Sequence, residues 1–254
     1  MENPFSAHNI RLDDGTTTNP SMGYTIDNHP HFQAARRLLI ALYPDGLEGR
    51  TILDVGCLEG GYTVEFARLG MVATGIEVRD SNYQNCLYVK KRVNLPMLSF
   101  VKDDAMNLSN YGPVDALFVN GLLYHLDRPK RFLEAAAAVC RKVLFLQTHY
   151  APTGPSPAIA RYHLSELAEN EGLLGRWYPE HDLAVGDELD RLKWTSWSNQ
   201  RSFLICREHL LDTIKKVGFD VVLEQYDALD NILQDLTVGY TYQHSRSMFV
   251  GIKP

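Results

Sequence analysis

Cysteine is scarce in this chain, and none of it is clustered. Cys57, Cys86, Cys140 and Cys206 are the only four, and no two stand at Cys-x-x-Cys spacing. That excludes a zinc site of the usual ligand spacing and leaves reduced, mostly buried thiols of a cytoplasmic protein as the expectation. Long basic runs are missing too. The longest is Lys90-Lys-Arg92, and the net charge is −6. A general nucleic-acid surface would need a basic stripe, so nucleic acid is an unlikely partner on this count. No stretch approaches the ~18 apolar residues that suggest a membrane span. The first 30 residues are polar, with no apolar core of a signal peptide, so no secretion signal is expected. There is no internal repeat and no low-complexity tract.

What remains is the composition of an ordinary globular protein. The chain has 254 residues, 45% of them hydrophobic and 22% charged, enough for one domain with a large core or one domain with a cap. The most informative segment is 50–80. Arg50-Thr-Ile-Leu-Asp-Val-Gly-Cys-Leu-Glu-Gly-Gly-Tyr62 reads as a buried strand, a glycine turn and a helix start. A second strand, Val72-Ala-Thr-Gly-Ile-Glu77, ends in an acid 23 residues after Asp54. A strand, a tight glycine turn, a helix and a second strand ending in a carboxylate can hold an adenosyl group. The turn admits close backbone approach, and the acid can accept from both ribose hydroxyls.

The turn also discriminates between cofactors. A dinucleotide site wants G-x-G-x-x-G, so that helix-start N–H groups face a pyrophosphate. The aligned positions here are Gly56, Leu58 and Gly61. The middle glycine is replaced by a branched side chain, which suits a ligand without phosphates, such as S-adenosylmethionine, better than a nicotinamide dinucleotide.

Four segments, in order over about residues 48–150, resemble the class I S-adenosylmethionine-dependent methyltransferases. Asp54-Val-Gly-Cys-Leu-Glu-Gly60 is similar to the family's first motif, whose turn lies beside the methionine part of the cofactor. Glu77 is similar to its ribose-binding acid. Val101-Lys-Asp-Asp104-Ala105 is similar to the third motif, whose acid meets the adenine amino group. Asp115-Ala-Leu-Phe-Val-Asn120-Gly121-Leu-Leu-Tyr124-His125-Leu is similar to the fourth, near the reacting methyl. The resemblance implies Asp54, Gly56, Gly60, Glu77, Asp104, Ala105, Asn120 and Gly121 as cofactor-binding residues. The departure is Leu58, where many members carry glycine.

Along the chain, strands are predicted at about 51–55, 72–76, 98–101, 114–119 and 142–147, alternating with helices at about 61–69, 81–92 and 129–141. Such alternation means a parallel sheet with helices on both faces. A helix over 31–43 precedes it, with Phe32, Ala35, Leu38, Leu39 and Leu42 on one face. Residues 1–29 read either as a frayed tail or as an arm over the cofactor site, anchored by Phe5, Ile10, Met22, Tyr24 and Ile26. Residues 150–205 are too long for one loop. They read as a substrate-side insertion, with a helix from Ser156-Pro157 to about Asn170 and all three tryptophans. A helix at 206–217 and strands at 219–226 and 246–252 complete the chain. The family resemblance implies that these two strands form an antiparallel pair at the sheet edge. The loop between them, with Tyr240, Tyr242 and His244, is a second candidate at the site. The expected fold is therefore α/β: a single domain over 1–254 with a doubly wound, seven-stranded, mostly parallel sheet, an N-terminal arm and a helical, aromatic insertion after the fifth strand.

Methyl transfer from a sulfonium is an in-line displacement governed by positioning. A hydroxyl acceptor also has to lose a proton, and histidine is the natural base. His149, ending the fifth strand, and His125, after the fourth, are the candidate catalytic residues. The bland alternative is a histidine capping the strand end and bonded to backbone for His149 and a structural role for His125, and His163 and His244 rank below them. Tyr124, Trp194 and Trp197 are candidate acceptor contacts, although tryptophan is also an ordinary core anchor. The adjacent Asp103 and Asp104 leave a divalent metal open without predicting one. The leading expectation is a cytoplasmic S-adenosylmethionine-dependent methyltransferase acting on an oxygen of a small hydroxylated acceptor, a sugar, glycoside or secondary metabolite. The alternatives are a tRNA-modifying methyltransferase, a nicotinamide-dependent oxidoreductase, and a catalytically silent cofactor-binding protein. The sequence does not give the oligomeric state.

Overall fold

Buried strands and the glycines that end them set the architecture. In the computed structural model, which describes residues 4–182, 187–225 and 243–254, the first strands are β1 (Thr51–Val55), β2 (Val72–Glu77), β3 (Leu98–Lys102) and β4 (Val114–Asn120). They alternate with the helices α2 (Gly61–Arg68) and α3 (Asp80–Lys90), and α1 (Pro30–Leu42) precedes them. α4 (Pro129–Val139), β5 (Cys140–His149), α7 (Arg207–Lys216), β9 (Val221–Gln225) and β10 (Arg246–Ile252) follow. The seven-stranded sheet has the order β3-β2-β1-β4-β5-β10-β9. β1, β2 and β3 pair in parallel, β1 pairs in parallel with β4, and β10 runs antiparallel to both β5 and β9. The doubly wound, mostly parallel sheet with an antiparallel edge pair is as expected.

The chain forms two compact units. The first runs to Asn107 and takes back Val114–Phe118; the second has Leu108–Pro113 and Val119–Pro254.

In the first unit, Phe32, Phe66 and Phe118 stack edge to face, with centroids 5.6 and 5.0 Å apart. Burying each contributes about 2 kcal/mol, which fixes α1 and α2 on the sheet. Register is pinned where β1 meets β4. Asp115 Oδ2 accepts from Thr51 N and from Thr51 Oγ1, both at 2.8 Å, and Asp115 N donates back to Thr51 Oγ1 at 2.9 Å. α2 is enclosed all round, with every residue from Gly61 to Ala67 buried. A helix hydrophobic or buried all round needs cover on both sides. The sheet supplies one side and the N-terminal segment the other. Phe5, His8, Ile10 and Ile26 of that segment are all buried. The segment is therefore a docked arm and not a frayed tail, with Met22 half-buried and Tyr24 exposed at its outer edge.

In the second unit the insertion departs from the expected helix. α5 covers only Pro157–Arg161, and α6 is a single short turn, Asp187–Arg191. The rest is a three-stranded antiparallel sheet of β6 (Ala168–Asn170), β7 (Leu173–Pro179) and β8 (Arg201–Ile205), in the order β6-β7-β8. The helix stops because His163 turns to a φ of 51°. β6 and β7 are joined by Glu171-Gly172, with φ values of 53° and 75°. Two positive φ angles in a two-residue loop make the turn that matches strand twist, and Gly172 adopts one of them without strain. Phe203 N of β8 donates to Leu126 O at 2.9 Å, which ties this small sheet to the turn after β4. Tyr240 and Tyr242 lie outside the described residues.

Candidate functional site

The glycine turn of the first unit is organised by one carboxylate. Gly56 N and Cys57 N both donate to Ile76 O at 2.9 Å, which carries the end of β1 onto β2. Glu77 then closes the turn: its Oε2 accepts from Leu58 N at 2.9 Å and its Oε1 from Arg79 N at 2.8 Å. Burial raises the pKa of Glu77, against these two N–H groups, which lower it. A carboxylate offers about four acceptor positions, and the Asn82 side chain, which also lowers the Glu77 pKa, draws on those the two backbone donors leave. Leu58 explains how the turn survives without its usual glycine. Its φ is 54°, the left-handed conformation that glycine adopts freely, and a side chain there costs about 1–2 kcal/mol.

Gly60 is required for space as well as conformation. It caps α2 at a φ of 82°, and a Cβ there would sit 2.7 Å from the Phe100 ring. Asp54 faces inward and accepts from Thr63 Oγ1 at 2.6 Å, joining the end of β1 to the first turn of α2. Burial, with some help from the neighbouring Glu77, pushes its pKa up to about 7. Asp104 Oδ1 accepts from Met106 N at 2.8 Å and so caps the turn that opens at the buried Ala105. Asp103 Oδ1 accepts from Asp104 N and from Asn107 Nδ2, both at 2.7 Å.

Two residues of this unit escaped the sequence reading. Glu59, inside the glycine turn and fully buried, accepts from the backbone N–H groups of Ser6 at 2.8 Å, Ala7 at 3.0 Å and His8 at 2.9 Å. His8 Nδ1 in turn accepts from Gly61 N at 3.0 Å, at the start of α2. Burial lowers the pKa of His8 to about 4, so the ring is neutral and has the lone pair this bond needs. The only local signal was an acid within a glycine turn.

The second unit gathers rings. Asn120 and Gly121 end β4. Gly121 N donates to Gln147 O at 2.9 Å, and Asn120 Oδ1 is shielded from solvent without a donor among the described residues. Tyr124 stands 4.2 Å from the His125 ring and 4.6 Å from the His149 ring, centroid to centroid. Tyr162 is 4.9 Å from His149 and hydrogen-bonds His244 Nδ1. Arg246 donates to Gln147 Oε1 at 2.8 Å and lies over the Tyr124 ring at 5.6 Å.

The two candidate bases are held differently. His149 Nδ1 is 2.7 Å from His244 O. A carbonyl only accepts, so Nδ1 carries the proton and Nε2 the lone pair. Burial, then the Arg246 cation, push the pKa of His149 down to about 3. His125 Nδ1 is instead 2.8 Å from Glu180 Oε1, a carboxylate with no solvent exposure. Glu180 also escaped the sequence reading, since it lies 55 residues from its partner.

Trp194 is 61% exposed, and among the described residues no ring contact joins it to this cluster. Trp197 is half-buried. Trp177 packs edge-on against Phe203 at 5.1 Å, under the Arg201 guanidinium. Among the described residues no three His, Cys, Asp or Glu side chains converge as a metal set would, and no helix is long and apolar enough to cross a membrane.

Residues 53–143 match the model of a family described as "Methyltransferase domain". Several solved structures share the fold. The N-terminal domain of EvdMO1, in the presence of SAH and D-fucose, is similar at a TM-score of 0.65 and 21% identity, over 89% of this chain and 84% of that one. Magnesium protoporphyrin IX methyltransferase from Synechocystis PCC 6803, with bound SAH, gives 0.56 and 14%, over 89% and 84%. The 1,6-didemethyltoxoflavin-N1-methyltransferase of Burkholderia thailandensis gives 0.56 and 14%, over 89% and 80%. No curated protein sequence matches the chain.

Proposed function

Residues 53–143 match the methyltransferase-domain model, and we propose that the chain is an S-adenosylmethionine-dependent methyltransferase of the class I fold that methylates an oxygen of a small hydroxylated acceptor. Sugars and glycosides lead the candidates, ahead of other secondary metabolites. The observation that carries the reading is the ring cluster of the second unit, in which Tyr124, Tyr162, His125 and His149 meet at centroid distances of 4.2–4.9 Å. Aromatic faces suit the apolar face of a sugar, and imidazole nitrogens suit its hydroxyls. The sulfonium cofactor supplies an activated methyl group. Glu77 takes the ribose hydroxyls, Asp104 the adenine edge, and Asn120 with Gly121 the amino-acid end. Asp54, Gly56, Gly60 and Ala105 shape the turns that receive it. His125 accepts the acceptor's proton, and His149, held neutral, orients the hydroxyl. Tyr124, with Trp194 and Trp197 of the insertion, contacts the acceptor.

The relatives act on a range of compounds, and the D-fucose in the EvdMO1 crystals favours a sugar. The acidic balance, net −6, disfavours the tRNA-modifying alternative. The first test is titration calorimetry with S-adenosylhomocysteine, with NADH as the control. Micromolar binding of the first and silence from the second are expected, and the reverse result would overturn the cofactor assignment. Transfer of a labelled methyl group to a panel of monosaccharides and phenols, with bulk tRNA alongside, then decides the acceptor class. Labelling of tRNA alone would replace the small-molecule reading.

A further inference from the structure

Glu180 is buried more completely than an acid tolerates without a task or full satisfaction. Its side chain has no solvent exposure. Oε2 accepts from Ser196 N at 2.8 Å, and Oε1 accepts from Ser202 Oγ at 2.5 Å and faces His125 Nδ1 at 2.8 Å. All three groups act as donors toward it. The carboxylate is thus braced from the insertion by a main-chain amide and a hydroxyl, and its one remaining strong contact is an imidazole nitrogen. That imidazole keeps 14% exposure on the side chain, and among the described residues no hydrogen bond engages its other nitrogen.

We propose that Glu180 is the positioning partner of His125, and that the pair forms the proton-accepting dyad of the transferase; this rests on the hydroxyl-acceptor reading above. The carboxylate fixes the proton on Nδ1 and leaves the lone pair on Nε2. In the step, the acceptor oxygen forms a bond to the cofactor's methyl carbon, and the carbon–sulfur bond breaks with its electron pair returning to sulfur. The acceptor's proton passes to His125 Nε2. The imidazolium so formed sits against the Glu180 carboxylate and later gives its proton to water. His149 lacks this arrangement: its Nδ1 meets only a neutral carbonyl. The insertion therefore supplies part of the proton-transfer machinery. Among the described residues, the other titratable groups around the pair are Tyr124, Tyr178 and His149, with the Arg246 guanidinium over the Tyr124 ring.

The test compares wild type with Glu180→Gln and Ser202→Ala, the second removing one brace without touching the carboxylate. In histidine-15N-labelled protein, His125 should show one tautomer protonated at Nδ1, with a downfield Nδ1 proton that Glu180→Gln shifts upfield and Ser202→Ala shifts part of the way. An unchanged His125 spectrum in Glu180→Gln overturns the dyad, whether or not an acceptor has been found. With a sugar or phenol from the panel as acceptor, Glu180→Gln should lower kcat about 10- to 100-fold. KM and S-adenosylhomocysteine affinity should stay within about twofold, and the acidic limb of the pH–rate profile should move. Unchanged kcat overturns the proposal, as does a loss of kcat matched by the loss of cofactor affinity. A wild-type protein that binds S-adenosylhomocysteine, methylates no hydroxyl compound and keeps the His125 signature would sink the acceptor reading and retain the pairing.

Discussion

The Glu77 carboxylate accepts the main-chain N–H of Leu58, a residue held at a φ of 54°. The acid expected to grip the ribose is thus also the clamp that keeps a leucine in a glycine's conformation. In the proposed site, cofactor affinity and turn geometry would therefore be coupled through one side chain.

Replacing Glu77 by alanine should weaken S-adenosylhomocysteine binding by about 1–3 kcal/mol, since two ribose hydroxyls lose their acceptor. The ligand-free protein should melt lower as well, because Leu58 N and Arg79 N lose theirs. Calorimetry on both proteins measures the first effect and thermal melts the second. Unchanged affinity would remove Glu77 from the ribose site.

Asp54 makes the stability depend on pH in an unusual direction. Its pKa is about 7 in the folded protein against an ordinary 3.8. A carboxyl whose pKa rises on folding favours the folded state below 3.8, and that contribution is lost as pH climbs through about 7. Asp54→Asn, which keeps an acceptor for Thr63, should therefore melt above wild type at pH 8, with the gap narrowing toward pH 4. A pH-independent gap would show that burial of the charge is not its cause.

The arm should respond with the opposite sign. The pKa of His8 is lowered to about 4 from 6.5. The stability it contributes is whole above 6.5 and is lost as pH falls toward 4. Hydrogen exchange at residues 5–10 should accelerate over that window. Glu59→Ala, which strips three main-chain donors of their acceptor at about 1–3 kcal/mol for each group left buried, should expose the same amides at pH 8. Protection equal to wild type in the variant would mean that the arm is held by its apolar anchors alone.

His149→Ala should lower turnover on the identified acceptor while cofactor affinity stays within about threefold. Wild-type turnover in this variant would take His149 out of the reaction.

The strands and turns of the first unit were readable because their signals are local. β1 and β2 are short apolar runs cut off by Gly56 and by Glu77, and Gly60 and Gly70 mark the ends of α2. The insertion was not. Ile159, Tyr162, His163 and Leu167 carry a helical spacing, yet their segment is turned at His163 and paired through Glu171-Gly172, a weaker hairpin signal than Asn-Gly. Glu59 and Glu180 escaped for another reason. One finds its partners 51–53 residues away on main-chain amides, the other on a ring at a separation of 55. Nothing in local spacing encodes such pairs.

Glu59 reads the amides of Ser6 and Ala7, and only secondarily the Ser6 hydroxyl at 3.2 Å. The fastening is therefore nearly blind to what those two positions carry. Because the bonds are to main chain, this fastening asks for an N–H at positions 6 and 7, which proline alone lacks, and for a carboxylate at position 59.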